Sequence, residues 1–93
     1  MNPNWSILSS MVNIDEEILQ HQALVCWVLA ELAKTDQEIV EYIQKYGVSS
    51  SEMLEQMICD KRVDGHPAWE DSIDWRNLQD YRKKLLNSLA IER

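Results

Sequence analysis

With 93 residues, the chain is long enough for one domain and too short to bury a large core. A net charge of −7 sets it against phosphate backbones and anionic membranes, and 45% apolar residues are too many for a disordered chain. Two Gly and two Pro leave little of it for turns, which points to an all-α fold of long helices with short connections over residues 1–93, a single helical domain.

Asn2-Pro3 is a helix start, with Asn as cap and Pro in the first turn, and Trp5, Leu8, Met11 and Val12 give a short apolar stripe behind it. Residues 13–16 repeat the capping signature, and Asp15, Glu16 and Glu17 put negative charge where a helix dipole favours it. The helix that follows is expected over 14–34. Its residues 23–30 are apolar without a break, which places Trp27 and Cys26 in the core and makes this the central helix of the domain. The same run needs more cover than three amphipathic helices supply, so a homodimer is as open as a monomer.

Thr35-Asp36-Gln37-Glu38 is a capping box and predicts a new helix over 36–46, with Ile39, Ile43 and Tyr46 on one face and Gly47 ending it in the left-handed conformation. The serines 49–51 supply the next cap, for a helix over 50–60 that buries Met53, Leu54, Met57 and Ile58. Residues 61–71 form the one long connection, with Asp64-Gly65 as a turn pair and His66 pushed out of helical geometry by Pro67. Asp71 or Ser72 then caps the last helix, whose inner side is lined by Ile73, Leu78, Tyr81, Leu85 and Leu89. The expected architecture is a compact bundle of four main helices plus a short N-terminal helix.

Residues 1–60 hold ten acids against Lys34 and Lys45 alone, whereas residues 61–93 hold seven Lys/Arg against six acids. One end of the molecule is therefore acidic. Two cysteines, Cys26 and Cys59, make no disulfide framework, and the first residues lack the basic and apolar pattern of a secretory leader. The longest apolar run is too short for a membrane span, so a cytoplasmic protein with reduced thiols is expected.

The stretch 39–53 resembles the helix-turn-helix of transcription factors, which implies a DNA-binding regulator using helices 36–46 and 50–60. Two features oppose that function: Ile43 stands where the motif has a small residue, and Glu52 and Glu55 occupy the helix that should meet phosphates. His21, Cys26, Cys59 and His66 are zinc-ligand types, but spacings of five and seven residues do not wrap an ion. His66 with Asp64 and Asp71 is the only cluster near a loop, without a Gly-rich phosphate cradle, so we expect neither an enzyme nor a cofactor.

What remains points to protein binding. Four Trp and no Phe is an unusual aromatic content. Trp69 and Trp75, near Arg62 and Asp71, have the make-up of an interface anchor on the long connection. Glu38, Glu41, Glu52 and Glu55 form an acidic face opposite the apolar stripes. The expected function is a small acidic inhibitor, immunity-type protein or adaptor that binds a basic surface of a protein partner. A nucleic-acid-binding enzyme is one such partner; neither nucleic acid nor membrane is bound directly.

Overall fold

A computed structural model describes residues 15–92, and the expected N-terminal helix therefore lies outside the described residues. Among the described residues the chain is all-helical. Helix α1 spans Glu16–Tyr46, α2 spans Ser51–Cys59 and α3 spans Gly65–Glu92. The shape is not the compact bundle expected. The molecule measures 61 × 24 × 17 Å with a radius of gyration of 19.1 Å, against roughly 12 Å for a compact domain of this length. Helices α1 and α3 form a long antiparallel hairpin, and α2 packs on α3 at the end where α1 finishes.

The two helices expected at 14–34 and 36–46 are one. Asp15 caps α1 by accepting from the Glu17 N–H at 2.8 Å, and the helix then runs unbroken for 31 residues, roughly 46 Å. The capping box at 35–38 does not act as one, because no Gly or Pro interrupts the chain there and Thr35 is buried against the hairpin. The inward positions Val28, Leu32, Thr35, Ile39, Tyr42 and Tyr46 recur at alternating steps of four and three, the period of a two-helix seam. A cap signal inside that periodicity is overridden by packing. Gly47 ends α1 as expected, at φ 70°, with its N–H on the Ile43 carbonyl at 2.8 Å.

Ser50 caps α2 as predicted, accepting from the Met53 N–H. The end of α2 carries no sequence signal: Lys61 takes the left-handed conformation (φ 58°) that usually falls to Gly or Asn, while the Lys61 and Arg62 N–H groups bond back to Ile58 and Met57. The connection is also shorter than expected. His66 is non-helical, but Pro67 opens the regular part of α3 instead of interrupting a loop, so Trp69, Asp71 and Ser72 are helical residues. Ser72 is no cap; it is fully buried and donates to the Trp69 carbonyl at 2.7 Å.

Two clusters form the core. At the closed end, Leu54, Ala68 and Trp75 are enclosed by Ile39, Tyr42, Ile43, Tyr46, Val48, Ile58 and Val63 from all three helices. Tyr42 stacks on Trp75 with ring centroids 5.7 Å apart. Along the open end, Val28, Leu32 and Leu85 meet, with Leu89 packed against them, and α2 contributes no residue to this cluster. This corrects the reading of residues 23–30 as buried all round: Trp27 is 54% exposed, Leu24 and Leu29 are similar, and Cys26 lies at the surface. Two helices cover one face of each other, not the circumference.

Candidate functional site

The four glutamates expected to form one acidic face are divided by the structure. Glu52 and Glu55 turn toward α3. The Ser51 N–H donates to Gln79 Oε1 at 2.9 Å, Gln79 Nε2 donates to Glu52 at 3.2 Å, and Arg76 pairs with Glu55. The Glu52 carboxyl is held below its ordinary range, first by its own backbone N–H in the opening turn of α2 and then by Gln79, against the cost of desolvation. These two acids clamp α2 to α3, where the small buried Ser51 and Ser72 allow close approach.

Glu38 and Glu41 do something different. With Tyr42 they line a cleft of about 450 Å³ between α1 and α3, closed on the other side by Asp74, Asn77, Leu78 and Tyr81. The positions explain the geometry: 38, 41 and 42 share one face of α1, and 74, 77, 78 and 81 share one face of α3. Glu38, Glu41 and Asp74 make no hydrogen bond or ion pair among the described residues. Tyr42 links the cleft to the core through its stack on Trp75. Its hydroxyl is pushed above its ordinary pKa, first by burial and then by the charges of Asp74 and Asp71, which oppose a further negative charge there. Tyr81 donates to Glu31 at 3.0 Å, and that bond raises its pKa.

The remaining expected site residues fall elsewhere. Trp75 is fully buried, so it is a core residue and not a direct anchor. Trp69 is 48% exposed, yet the α-helical repeat puts it on a different face of α3 from the cleft, beside exposed Ile73. Arg62 borders a smaller apolar hollow with Val48, Met53 and Met57. Asp71 is taken by an internal network: Lys45 Nζ donates to its carboxylate at 2.8 Å and the Tyr46 hydroxyl donates to the same oxygen. Burial alone raises the Asp71 pKa, but these two bonds outweigh it and hold the carboxyl low. His66 pairs with Glu70 at 2.8 Å on the surface, and no cluster with Asp64 and Asp71 is formed.

Sequence reasoning found Glu38 and Glu41, but it did not set Asp74 beside them and it did not find Asn77, Tyr42 and Tyr81 as site residues. Positions 74, 77, 78 and 81 share a face of α3 that mixes polar Asp74 and Asn77 with Leu78 and Tyr81, so the pattern merges with the apolar stripe of the helix and does not mark a cleft. Among the described residues no three His, Cys, Asp or Glu side chains assemble a metal site, and no helix is long and apolar enough to cross a membrane. Cys26 and Cys59 are both free and exposed.

The chain belongs to the Uncharacterized protein MJ0235 family, which matches residues 1–90. No curated protein and no solved structure matches it.

Proposed function

We propose that this chain is a non-enzymatic protein-binding module, of the inhibitor, immunity-type or adaptor kind, that receives a basic segment of a partner in the α1–α3 cleft. One observation carries the reading. Three carboxylates, Glu38, Glu41 and Asp74, face an open cleft without internal cations, whereas Asp36, Glu55 and Asp71 are each matched by Arg82, Arg76 and Lys45. A lysine or arginine side chain is the complementary group. The rings of Tyr42 and Tyr81 add cation–π faces, and the Asn77 amide adds a hydrogen-bonding wall. The surrounding charge of −7 draws a basic partner in, which favours the encounter rate more than the final affinity.

The test is binding of a fluorescent Lys/Arg-rich peptide, compared with an acidic peptide of equal length. The basic peptide is expected to bind and to weaken with salt. Glu38→Gln, Glu41→Gln and Asp74→Asn together should weaken it at least tenfold. Equal binding of both peptides, or indifference to the three substitutions, overturns the reading. The alternative, a DNA-binding regulator acting through residues 36–46 and 50–60, finds less support. Glu52 and Glu55 stand on α2, α2 packs on α3 rather than crossing α1 closely, and Arg76 and Arg82 are already ion-paired. Salt-dependent micromolar binding to random duplex DNA is the result that would favour it.

A further inference from the structure

The cleft between α1 and α3 sets a condition on the cation it receives. Glu38 and Glu41 stand one turn apart on α1, and Asp74 lines the same cleft from α3. The three carboxylates share the cleft without converging on a point: among the described residues no three His, Cys, Asp or Glu side chains lie close enough to hold a metal ion. A hydrogen bond reaches only about 3 Å, so a point charge such as a lysine ammonium cannot be shared by all three. A guanidinium spreads its charge over a plane and carries five N–H donors on three nitrogens, so it can bridge carboxylates on facing walls.

The walls also carry rings that are held in place before a ligand arrives. The Tyr81 hydroxyl is tied to Glu31 at 3.0 Å, and Tyr42 lies nearly parallel to Trp75, 15° between the ring planes. Burial and the charges of Asp74 and Asp71 keep the Tyr42 hydroxyl protonated, so its ring carries no charge of its own. A guanidinium stacks on such faces and is more weakly hydrated than an ammonium, so it gives up less on leaving water. Arg82, next to Tyr81 in sequence, is held on Asp36 at 2.6 Å and does not line the cleft.

We infer that the cleft selects arginine over lysine, taking one arginine side chain of the partner with its guanidinium between the α1 carboxylates and Asp74 and against the rings of Tyr42 and Tyr81. The inference rests on the reading of the cleft as a receptor for a basic segment, and narrows that segment to one residue type.

Two fluorescent peptides on the same Gly/Ser scaffold, one with three arginines and one with three lysines at the same positions, test it by anisotropy with the full chain at equal salt. The arginine peptide is expected to bind at least tenfold tighter. Glu38→Gln, Glu41→Gln and Asp74→Asn together should bring the two within a factor of three. Tyr81→Leu should do the same, while Tyr81→Phe, which keeps the ring and gives up the bond to Glu31, should retain the preference; circular dichroism checks that each variant stays helical. Equal affinities, or tighter binding of the lysine peptide, overturn the selectivity and leave the basic-segment reading standing, whereas binding of neither peptide overturns both. A preference that survives the triple substitution arises outside the cleft and overturns the inference, and so does one that survives Tyr81→Leu or is lost in Tyr81→Phe.

Discussion

At its closed end the α1–α3 hairpin holds Trp75, Leu54 and Ala68 inside three helices, while at its open end the apolar cluster among the described residues is Val28, Leu32, Leu85 and Leu89, from two helices. The composition runs opposite to the burial. The open end contains the most apolar segment of the chain, residues 23–30, whereas the closed end is laced with Lys45–Asp71, Arg76–Glu55 and the Gln79 fork. Burial is decided by how many elements surround a position, and hydrophobicity decides only what an uncovered position costs. A short third helix, nine residues long, converts a seam into a core. Where it is missing, Leu24, Trp27 and Leu29 stay exposed among the described residues.

The strongest way to break this contrast is to truncate one tryptophan at each end. Trp75→Ala removes a fully buried ring stacked on Tyr42 and should cost about 3–5 kcal/mol of folding stability, enough to unfold a marginal domain. Trp27→Ala should cost far less in denaturant titrations at low micromolar concentration, because more than half of that ring is in water. Equal losses would mean that the open end is as well covered as the closed one.

Amide hydrogen exchange sharpens the comparison along one helix. Because α1 is continuous from Glu16 to Tyr46, its amides belong to one hydrogen-bonded ladder, yet they are backed by different cores. Those of residues 39–46 should exchange at least tenfold more slowly than those of 20–27, a difference of about 1.4 kcal/mol in opening free energy. Uniform protection along α1 would show that the helix opens as a unit.

A smaller effect separates charge from packing at the closed end. Asp71 accepts from Lys45 and Tyr46, and its pKa is lowered. A lowered carboxylate pKa stabilises the fold above the unfolded value and loses that contribution as pH falls through the folded one. Lys45 and Tyr46 have raised pKa values, the Lys45 shift led by its bond to Asp71 and the Tyr46 shift by burial, so their share is full below about pH 10 and lost above it. Asp71→Asn should therefore lower the melting temperature by roughly 5 °C at pH 7, about 1 kcal/mol in a chain of this size. The gap should narrow below about pH 4. A gap unchanged from pH 7 to pH 2.5 would assign the loss to packing.

What was legible in the sequence was local. Ser50 as the cap that starts α2 and Gly47 as the left-handed stop of α1 follow from chemistry within four residues, and packing did not oppose them. Thr35–Glu38 carries the same kind of local signal and was overridden, because Thr35 sits at an inward position of a long heptad-like seam and nothing nearby breaks the helix. Trp27 was misplaced for a related reason. Its apolar neighbours put it in the expected core, but burial is set by whether α2 lies over a position, as it does over Trp75 and not over Trp27. Half of the candidate cleft was visible as Glu38 and Glu41. The other half arrives from α3, some thirty-five residues later, through an antiparallel register that depends on α1 and α3 being long enough to lie side by side.

The smallest effect expected concerns Trp69, which the sequence recommends as a binding anchor and the fold sets apart from the cleft. It is half exposed in the opening turns of α3, one turn before Ile73, and does not line the cleft around Glu41 and Asp74. Truncation to alanine removes partial burial only, so the stability loss should be about 1 kcal/mol, well short of the Trp75 value. Affinity for the basic peptide should stay within a factor of two, since the peptide's cations are met on another face of the helix. An interface anchor in the same position would instead lose roughly 2 kcal/mol of binding, about thirtyfold. Measuring melting and peptide affinity on the same Trp69→Ala sample separates these outcomes. A thirtyfold loss of affinity with an unchanged melting temperature would move the binding surface from the α1–α3 cleft to the Trp69–Ile73 face at the start of α3.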